Sequence, residues 1–228
     1  MIGIIGAMDE EIELLLETMD NKQEITVANS RFIQGTLRNK EIVLLKSGIG
    51  KVNAAMGTTI MLERFSPELI INTGSAGGFS NKLHVGDIII SSDVVHHDVD
   101  VTSFDYAYGQ VPGLPALYNA DGKLVAMAEK AAEELGINYE VGVVATGDSF
   151  MEETTRVEAT RKRFPQMLAA EMEAAAIAQV SYQYDTPFVI IRALSDIAGK
   201  DSSISFDAFL EKAAKNAAQL IIKVVDAL

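Results

Sequence analysis

Carboxylates in unusual surroundings are the residues of this chain that could do chemistry. Asp196 follows the apolar run PFVIIRALS, and Glu171 and Glu173 stand inside LAAEMEAAAIA. Glu11 belongs to the acidic segment GAMDEE, which follows the apolar run IGIIG. A buried carboxylate costs free energy unless a partner compensates for it, and burial raises its pKa toward the range of a general acid. Such groups could therefore serve as an acid and a base.

Each of these carboxylates also has a purely structural explanation. Glu11 could be a first-turn acid that the helix dipole favours, and Asp196 could cap a short helix. Glu171 could pair with Arg192 or with another cation. From the residues alone, the structural and the catalytic interpretations of Glu11 and Asp196 remain equally open.

Small and polar residues collect where five predicted strands end. The runs IGIIG, IVLLK, LIINT, VGVVAT and FVIIRAL lead into AMDEE, SGIGK, GSAGG, GDSF and SD, in that order. Glycine lets a ligand approach the backbone closely, and in open α/β sheets ligands bind beyond the carboxyl ends of the strands. One such strand end is only a turn, but five of them, three with an adjacent acid, predict a composite pocket.

The elements that must position this pocket alternate between β-branched runs and helical patterns. The predicted strands are 2–6, 24–27, 31–37, 41–46, LIINTG, VGDIIISSDVV, 139–145, 168–171 and PFVIIRALSD. The predicted helices are 10–19, 51–65, 124–135, 152–164, a segment ending near 184, and 206–227, with a loop over 101–119. This alternation predicts an α/β protein with a largely parallel sheet and helices on both faces. Because no linker interrupts the chain, residues 1–228 are expected to form one domain.

The composition narrows the class of protein. The 228 residues include 48% hydrophobic side chains and carry a formal net charge of −13, which disfavours nucleic acid and anionic membranes as partners. The chain has no cysteine, so disulfides and thiolate sites are excluded and a cytoplasmic location fits. The start MIGIIGAMDEE lacks the features of a signal peptide, and no apolar run approaches the ~20 residues of a membrane span.

Other segments resemble cofactor-binding, metal-binding or nucleophile motifs only weakly. SGIGKVNAA matches the dinucleotide-binding fingerprint only in part, and a turn into a helix explains it better. HHDVD lacks the helical histidine pair of a zinc site, so a solvated or hydrogen-bonded loop is the better interpretation and no metal is expected. The serines of GDSF and ALSD have no nearby histidine that could act as their base.

A set of motifs in a fixed order resembles one known family. It is similar to the 5′-methylthioadenosine/S-adenosylhomocysteine nucleosidases, in the nucleoside phosphorylase-like superfamily, through GAMDEE, LLKSGIGKVNAA, INTGSAGG, VGDI, TGDSF, AEMEAAAIA, RALSD and SFDAFLEKAA. The resemblance implies a three-layer α/β/α fold with a central mixed, partly barrel-like β-sheet flanked by helices. It also implies a homodimer that hydrolyses the bond between adenine and the thioribose of methylthioadenosine and S-adenosylhomocysteine, in methionine salvage, without metal or cofactor. Cleavage of 5′-deoxyadenosine is expected as well.

The resemblance also assigns the catalytic roles. Glu11 matches the carboxylate that activates the attacking water. Asp196 matches the acid that protonates N7 of the leaving adenine, with Ser195 supporting it, and its apolar neighbours would raise its pKa. Glu173 matches the residue that holds the ribose hydroxyls, whereas Glu171 receives no role.

Further contacts implied by the resemblance surround the substrate. They are Ser75, Met172 and Arg192 near the sugar and the water, Phe150 and Met151 at the adenine, Met8, Ile49 and Phe206 along the sugar and alkylthio group, and Val101, Phe104 and Pro112 from the neighbouring subunit. The polar segment AGKDSSIS, 198–205, is expected to be a loop over the site that becomes ordered when ligand binds.

Three rival functions use the same residues differently. A purine nucleoside phosphorylase would need basic or polar groups for phosphate, whereas the segment GAMDEEIE is acidic. A hydrolase of another purine nucleoside or nucleotide is a second alternative, and the net charge disfavours the nucleotide. A non-catalytic nucleoside-binding protein would need neither acid nor base. The sequence leaves open the preference among methylthioadenosine, S-adenosylhomocysteine and 5′-deoxyadenosine.

Overall fold

Buried aliphatic runs form the centre of the computed structural model, which describes residues 1–80, 82–200 and 202–228. The described strands are β1 Ile2–Gly6, β2 Asp20–Val27, β3 Ser30–Leu37, β4 Lys40–Lys46, β5 Leu69–Gly78, β6 Ile88–His96, β7 Tyr118–Asn119, β8 Tyr139–Thr146, β9 Met167–Glu171 and β10 Phe188–Ile197. The described helices are α1 Asp9–Thr18, α2 Lys51–Phe65, α3 Gly122–Leu135, α4 Thr154–Arg163, α5 Ala174–Gln183 and α6 Ser202–Ala227. The predicted α/β class is therefore confirmed.

The strands form a single sheet that partly closes on itself. Its order is β10-β6-β8-β9-β5-β1-β4-β3-β2, with β7 paired to β6. A further pairing joins β10 to β5, so β5, β9, β8, β6 and β10 form a closed ring of five strands. Strands β1, β4, β3 and β2 extend from β5 as an open wing that ends in the exposed edge strand β2. This is the mixed, partly barrel-like sheet that the resemblance implies.

Strand direction in the sheet departs from the largely parallel pattern expected from the alternation of elements. Among the described strands, the pairs β1–β4, β1–β5, β5–β10, β6–β8 and β8–β9 are parallel. The pairs β2–β3, β3–β4, β5–β9, β6–β7 and β6–β10 are antiparallel. Two of these arise from tight hairpins, where Ala28, Arg38 and Asn39 adopt positive φ. The β5–β9 and β6–β10 pairs belong to the closed ring, which local sequence patterns do not encode, and the β6–β7 pair adds a two-residue strand beside it.

Helices cover the sheet in two layers. On one face, α1, α3 and α6 pack Leu15, Ala128 and Ala217 against a core that includes Ile4 and Ile191 of the sheet. On the other face, α2 and α5 pack the residues Met61, Leu62, Ala174, Ala175 and Ile177 against the sheet. The alanine-rich sequence of α5 suits this position because small side chains let a helix lie close to a neighbouring element. The three-layer arrangement is confirmed.

Several predicted boundaries were wrong: β2 begins at Asp20 rather than at residue 24, and α3 begins at Gly122 rather than at residue 124. The final helix begins at Ser202 rather than at Phe206, so part of the expected 198–205 loop is helical; Asp201 of that segment lies outside the described residues. The Ser202 hydroxyl accepts a hydrogen bond from the Gly199 amide at 3.2 Å, which fixes the entry to the helix. Helix α4 begins at Thr154 rather than at residue 152, because the Glu153 carboxylate accepts from two backbone amides of its first turn.

The predicted 101–119 loop contains two short regular pieces, a 3₁₀ turn at Thr102–Phe104 and strand β7. Such short pieces have no periodic pattern that a sequence could show. Within the described residues, no helix is long and apolar enough to cross a bilayer.

Candidate active site

A cavity of about 350 Å³ lies at the carboxyl ends of the strands, which is within the ~300–1,000 Å³ range of ligand pockets. Each of the five strand-end segments that predicted a pocket contributes to its wall. These segments, with Met151 directly after GDSF, supply Ala7, Met8, Glu11, Ile49, Ser75, Ala76, Gly77, Ser149, Phe150, Met151, Ser195 and Asp196. The end of β9 and the start of α6 supply Ala170, Glu171, Met172, Glu173, Ser203, Phe206 and Asp207. The predicted composite pocket is therefore present.

Glu11 is held rigidly on one side of the cavity. It lies in the first turn of α1 with 2% of its surface exposed. Its Oε2 accepts hydrogen bonds from the amides of Ala7 at 2.8 Å and Met8 at 3.3 Å. Its Oε1 accepts from the Ser75 amide at 2.9 Å and the Ser75 hydroxyl at 3.2 Å. The carboxylate thus caps its own helix and lines the cavity, so the structural and functional interpretations of Glu11 are compatible.

Asp196 lies at the end of β10 and is 2% exposed. The register between β10 and β5 shifts between Leu194 and Asp196, which places Asp196 opposite Gly77. The Ser195 hydroxyl donates to Asp196 Oδ1 at 2.9 Å. Burial raises the pKa of Asp196 above its ordinary value, and the Ser195 hydrogen bond opposes that shift only in part. A carboxyl group in this state is suited to donate a proton near neutral pH.

Glycines make room for both carboxyl groups. A Cβ at Gly77 would lie 3.1 Å from Asp196 Oδ2, and a Cβ at Gly74 would lie 2.7 Å from Glu11 Oε1. A Cβ at Gly74 would also overlap the guanidinium of Arg192. The segment TGSAGG therefore brings the β5 backbone against three charged side chains, which is the close approach expected of glycine.

Glu173 follows β9 and has 5% of its surface exposed. Its Oε1 accepts a hydrogen bond from the Gly50 amide at 2.8 Å, and its Oε2 lies 3.4 Å from Nη2 of Arg192. Burial is the main cause of a raised pKa at Glu173; Arg192 opposes the shift, whereas Glu171 and Glu11 add to it. Arg192 does not line the cavity: its side chain is 1% exposed and lies behind the carboxylates.

The apolar side chains predicted to surround a substrate line the same cavity. Phe150 and Phe206 meet edge to face with ring centroids 5.8 Å apart. Met151 is buried, whereas Phe150 is 40% exposed and Ile49 is 51% exposed. Aromatic and apolar surface of this kind suits a flat, weakly polar ring system.

A polar network that the sequence did not reveal joins two segments of the wall through Asp98, which does not line the cavity. Asp148 Oδ1 accepts from the Lys51 amide at 2.8 Å and caps α2 from a distant loop. Lys51 Nζ donates to Asp98 at 2.6 Å, and Asp98 accepts from the Asp148 amide at 3.0 Å. The loop that carries Phe150 is therefore tied to the start of α2, where Gly50 contacts Glu173.

Comparison with known proteins places the chain in a family. The family model of the phosphorylase superfamily matches residues 1–226. The 5′-methylthioadenosine/S-adenosylhomocysteine nucleosidase of Oceanobacillus iheyensis is 62% identical over 224 residues, 98% of this chain and 98% of the relative. That of Anoxybacillus flavithermus is 59% identical over 228 residues, 100% of this chain and 98% of the relative. The chain belongs to this nucleosidase family.

A solved nucleosidase has the same fold over the whole chain. The crystal structure of the Neisseria meningitidis 5′-methylthioadenosine/S-adenosylhomocysteine nucleosidase, in complex with methylthio-immucillin-A, superposes with a TM-score of 0.98. It is 48% identical and covers 100% of this chain and 99% of its own. The fold and the family implied by the sequence motifs are thus confirmed.

The nucleosidase family resemblance named twelve residues of this chain's own pocket, and the structure brings eleven of them to the cavity wall; Arg192 is the exception. Val101, Phe104 and Pro112 do not line the cavity of their own chain, and their proposed reach into another subunit stays a prediction. The lining residues that sequence reasoning missed are Ala7, Ala76, Gly77, Ser149, Ala170, Glu171, Ser203 and Asp207. Most of them are small residues next to a residue that the family resemblance names. Their position at the end of a strand was the feature of the sequence that could have identified them.

The titratable side chains on the described cavity wall all carry carboxyl groups. Among the residues that the structure describes, no Lys, Arg or His lines the cavity, whereas Glu11, Glu171, Glu173, Asp196 and Asp207 do. Within that same part of the chain, no cluster of three or more His, Asp or Glu could hold a metal ion. The two histidines of HHDVD are buried, and His96 Nε2 is hydrogen bonded to Gln179 at 2.9 Å.

Proposed function

We propose that this protein hydrolyses the N-glycosidic bond of 5′-methylthioadenosine and S-adenosylhomocysteine, and also of 5′-deoxyadenosine, to release adenine. The observation that carries the proposal is the pair of buried carboxyl groups that share one cavity, Asp196 with a raised pKa and Glu11 held by hydrogen bonds. Asp196 lies opposite Gly77 of β5, and Glu11 accepts hydrogen bonds from Ser75 of the same strand. Both carboxyl groups line one cavity of about 350 Å³, and an acid and a base that flank the scissile bond are the arrangement that glycoside hydrolysis requires.

The proposed reaction assigns one task to each group. Asp196 donates its proton to N7 of adenine, so the base leaves as a neutral molecule. As the bond to the base breaks, the sugar gains oxocarbenium character, which the negative wall of the cavity stabilises. Glu11 removes a proton from the attacking water on the other side of the sugar, which predicts inversion at the anomeric carbon. Glu173 holds the ribose hydroxyls, and the reaction requires no metal or cofactor.

The charge distribution favours water over phosphate as the nucleophile. A phosphorylase must bind a phosphate dianion, yet the described wall of this cavity carries carboxylates and no cation. The nearby Arg192 is already paired with Glu171 and lies close to Glu173. Both observations support hydrolysis.

An adenine-release assay tests this proposal. Methylthioadenosine should yield adenine and free methylthioribose at the same rate with and without inorganic phosphate. Strict dependence on phosphate, with a sugar 1-phosphate as product, would show a phosphorylase instead. Binding of methylthioadenosine without release of adenine would show a non-catalytic nucleoside-binding protein.

Wider assignments of assembly, pathway, location, domain organisation and partner complete the proposal. The family resemblance supports a homodimer and a role in methionine salvage, and the cysteine-free composition supports a cytoplasmic location. The family model match over residues 1–226 supports a single nucleosidase domain spanning 1–228. The adenine thionucleoside is the proposed small-molecule partner, and neither nucleic acid nor membrane is expected to bind.

A further inference from the structure

Glu171 organises the start of helix α5. This residue, 7% exposed, ends strand β9 and directs its Oε2 to the amides of Glu173 at 2.9 Å and Ala174 at 2.8 Å. Its Oε1 accepts a hydrogen bond from the hydroxyl of Thr146, which itself accepts from the Ala175 amide at 2.8 Å. The carboxylate therefore fixes the backbone of the residue proposed to hold the ribose.

Glu171 is the nearer of the two carboxylates that Arg192 contacts. The buried guanidinium forms its ion pair with Glu171, and its Nη2 is 3.4 Å from Oε2 of Glu173. The other oxygen of Glu173 accepts from the Gly50 amide at 2.8 Å at the cavity wall. If Glu171 lost its charge, Glu173 would be the nearest remaining anion, and Arg192 would attract it away from Gly50, since an unpaired buried cation is very unfavourable.

We propose that Glu171 is a positioning residue for the proposed nucleosidase reaction: by neutralising Arg192 and holding the first amides of α5, it keeps the Glu173 carboxylate directed at the ribose hydroxyls. This inference rests on the proposed function. It distinguishes the two glutamates of AEME, because Glu173 contacts the sugar and Glu171 acts only through Glu173 and Arg192.

A double-mutant cycle tests this role. Glu171→Gln should lower kcat/KM for methylthioadenosine by about 100-fold, the scale expected when a binding group is displaced by about 1 Å. Glu173→Gln should cause a loss of similar size. Because both act on one contact, the double variant should lose no more than Glu173→Gln alone. If the fold loss of kcat/KM in the double variant equals the product of the two single losses, the inference is overturned.

Binding of free adenine separates positioning from general damage to the fold. Adenine has no ribose, so Glu171→Gln should keep the wild-type dissociation constant for adenine while kcat/KM for methylthioadenosine falls. Equal weakening of both would mean that Glu171 only supports the fold. Glu134→Gln, which breaks the exposed pair with Lys223, serves as the control for the exchange itself and should change neither value.

Thr146→Val provides a second variant of nearly unchanged volume if Glu171→Gln does not fold. It removes the hydroxyl that bridges Glu171 to α5, and its smaller loss of kcat/KM should likewise vanish in the Glu173→Gln background. An additive loss would contradict the inference. Failure of wild-type protein to release adenine would instead reject the proposed function.

Discussion

Two buried carboxyl groups on one cavity have different surroundings. Glu11 accepts hydrogen bonds from three backbone amides and one hydroxyl. Asp196 accepts a hydrogen bond from the Ser195 hydroxyl, and burial raises the pKa of Asp196. A base and an acid in one site need different surroundings, since two carboxyl groups in identical surroundings would compete for the same proton.

Removing either group should abolish most turnover. Glu11→Gln keeps the shape but not the basicity, and Asp196→Asn keeps the shape but has no acidic proton to give to N7. Each variant should lower kcat by about 10²–10⁴-fold, the usual contribution of general acid–base catalysis. Steady-state adenine release measures this, and wild-type rates in both variants would refute the mechanism.

The matched control for Glu11 is its neighbour. Glu10 lies in the same first turn of α1 but is exposed. Glu10→Gln should therefore leave kcat unchanged, which separates a local effect at Glu11 from a general loss of negative charge at the start of the helix.

The raised pKa of Asp196 makes stability depend on pH in a definite direction. An unfolded aspartate titrates near pH 3.9, and the folded pKa is higher. The stability that the protonated group provides is complete below the unfolded pKa and is lost as pH rises through the folded pKa. Asn cannot ionise, so Asp196→Asn should gain free energy of unfolding relative to wild type as pH increases from 4 to 8.

Chemical denaturation of wild type and variant across this pH range measures the difference. Other ionisable groups occur in both proteins and cancel in the subtraction. The exposed Asp226→Asn serves as the control for the exchange. A difference for Asp196→Asn that stays constant or falls with increasing pH would contradict the assignment of this residue as the acid.

Sequence reasoning reached these residues but not their partners. Acids beside apolar runs identified Glu11 and Asp196 as candidates, because charge next to a buried strand is uncommon. The contact between Glu11 and Ser75 joins residues 64 positions apart, and no local pattern encodes it. The sequence assigns no role to Glu171, because a strand ends and a helix begins beside it and neither periodicity defines the face on which its side chain lies.

At the scale of elements, the cap of α2 comes from another part of the chain. Asp148 accepts the Lys51 amide and so connects the loop of Phe150 to the helix that presents Gly50. Loss of a helix cap costs about 1 kcal/mol. Asp148→Ala should lower the free energy of unfolding by about that amount and should also weaken adenine binding.

Helix α3 offers the control for this prediction. The Asp121 side chain caps α3 by accepting from Lys123 at 2.9 Å and Leu124 at 3.0 Å, and it does not line the cavity. Asp121→Ala should cost similar stability, measured by denaturant unfolding, without changing the adenine dissociation constant. Equal adenine binding in both variants would show that the Asp148 link does not shape the site.

Most elements could be predicted from the sequence, whereas their closure could not. Helix α2 has the predicted bounds 51–65, because Gly50 and Pro67 mark its two ends. The pairing of β10 with β5 joins strands more than 100 residues apart. Hydrophobic runs show that both strands are buried, but they contain no information about which buried strand lies beside which.

At the scale of the whole molecule, exposed apolar residues support the proposed dimer. Phe104 is 75% exposed and Val52 is 78% exposed. If Phe104 completes the site of the partner chain, Phe104→Ala should lower kcat/KM for methylthioadenosine although this residue does not line its own cavity. A loss of about 10-fold corresponds to one buried apolar contact of about 1.5 kcal/mol.

Complementation between chains tests this arrangement directly. In a mixed dimer of Glu11→Gln and Phe104→Ala chains, one of the two sites has both wild-type residues. Random mixing at equal amounts should therefore restore about a quarter of the wild-type sites, because half of the dimers are mixed. Activity no higher than the average of the two parents would argue against a site shared between subunits.

The closed ring of five strands has a consequence for the energetics of turnover. Asp196 lies on β10 and the Ser75 partner of Glu11 lies on β5, and these two strands pair along β10 from Phe188 to Ile197 with one register shift between Leu194 and Asp196. A change in the separation of acid and base would have to distort that strand pairing rather than swing a loop. The free energy needed to orient the acid and the base is therefore supplied when the chain folds. It does not have to be supplied again in each catalytic cycle.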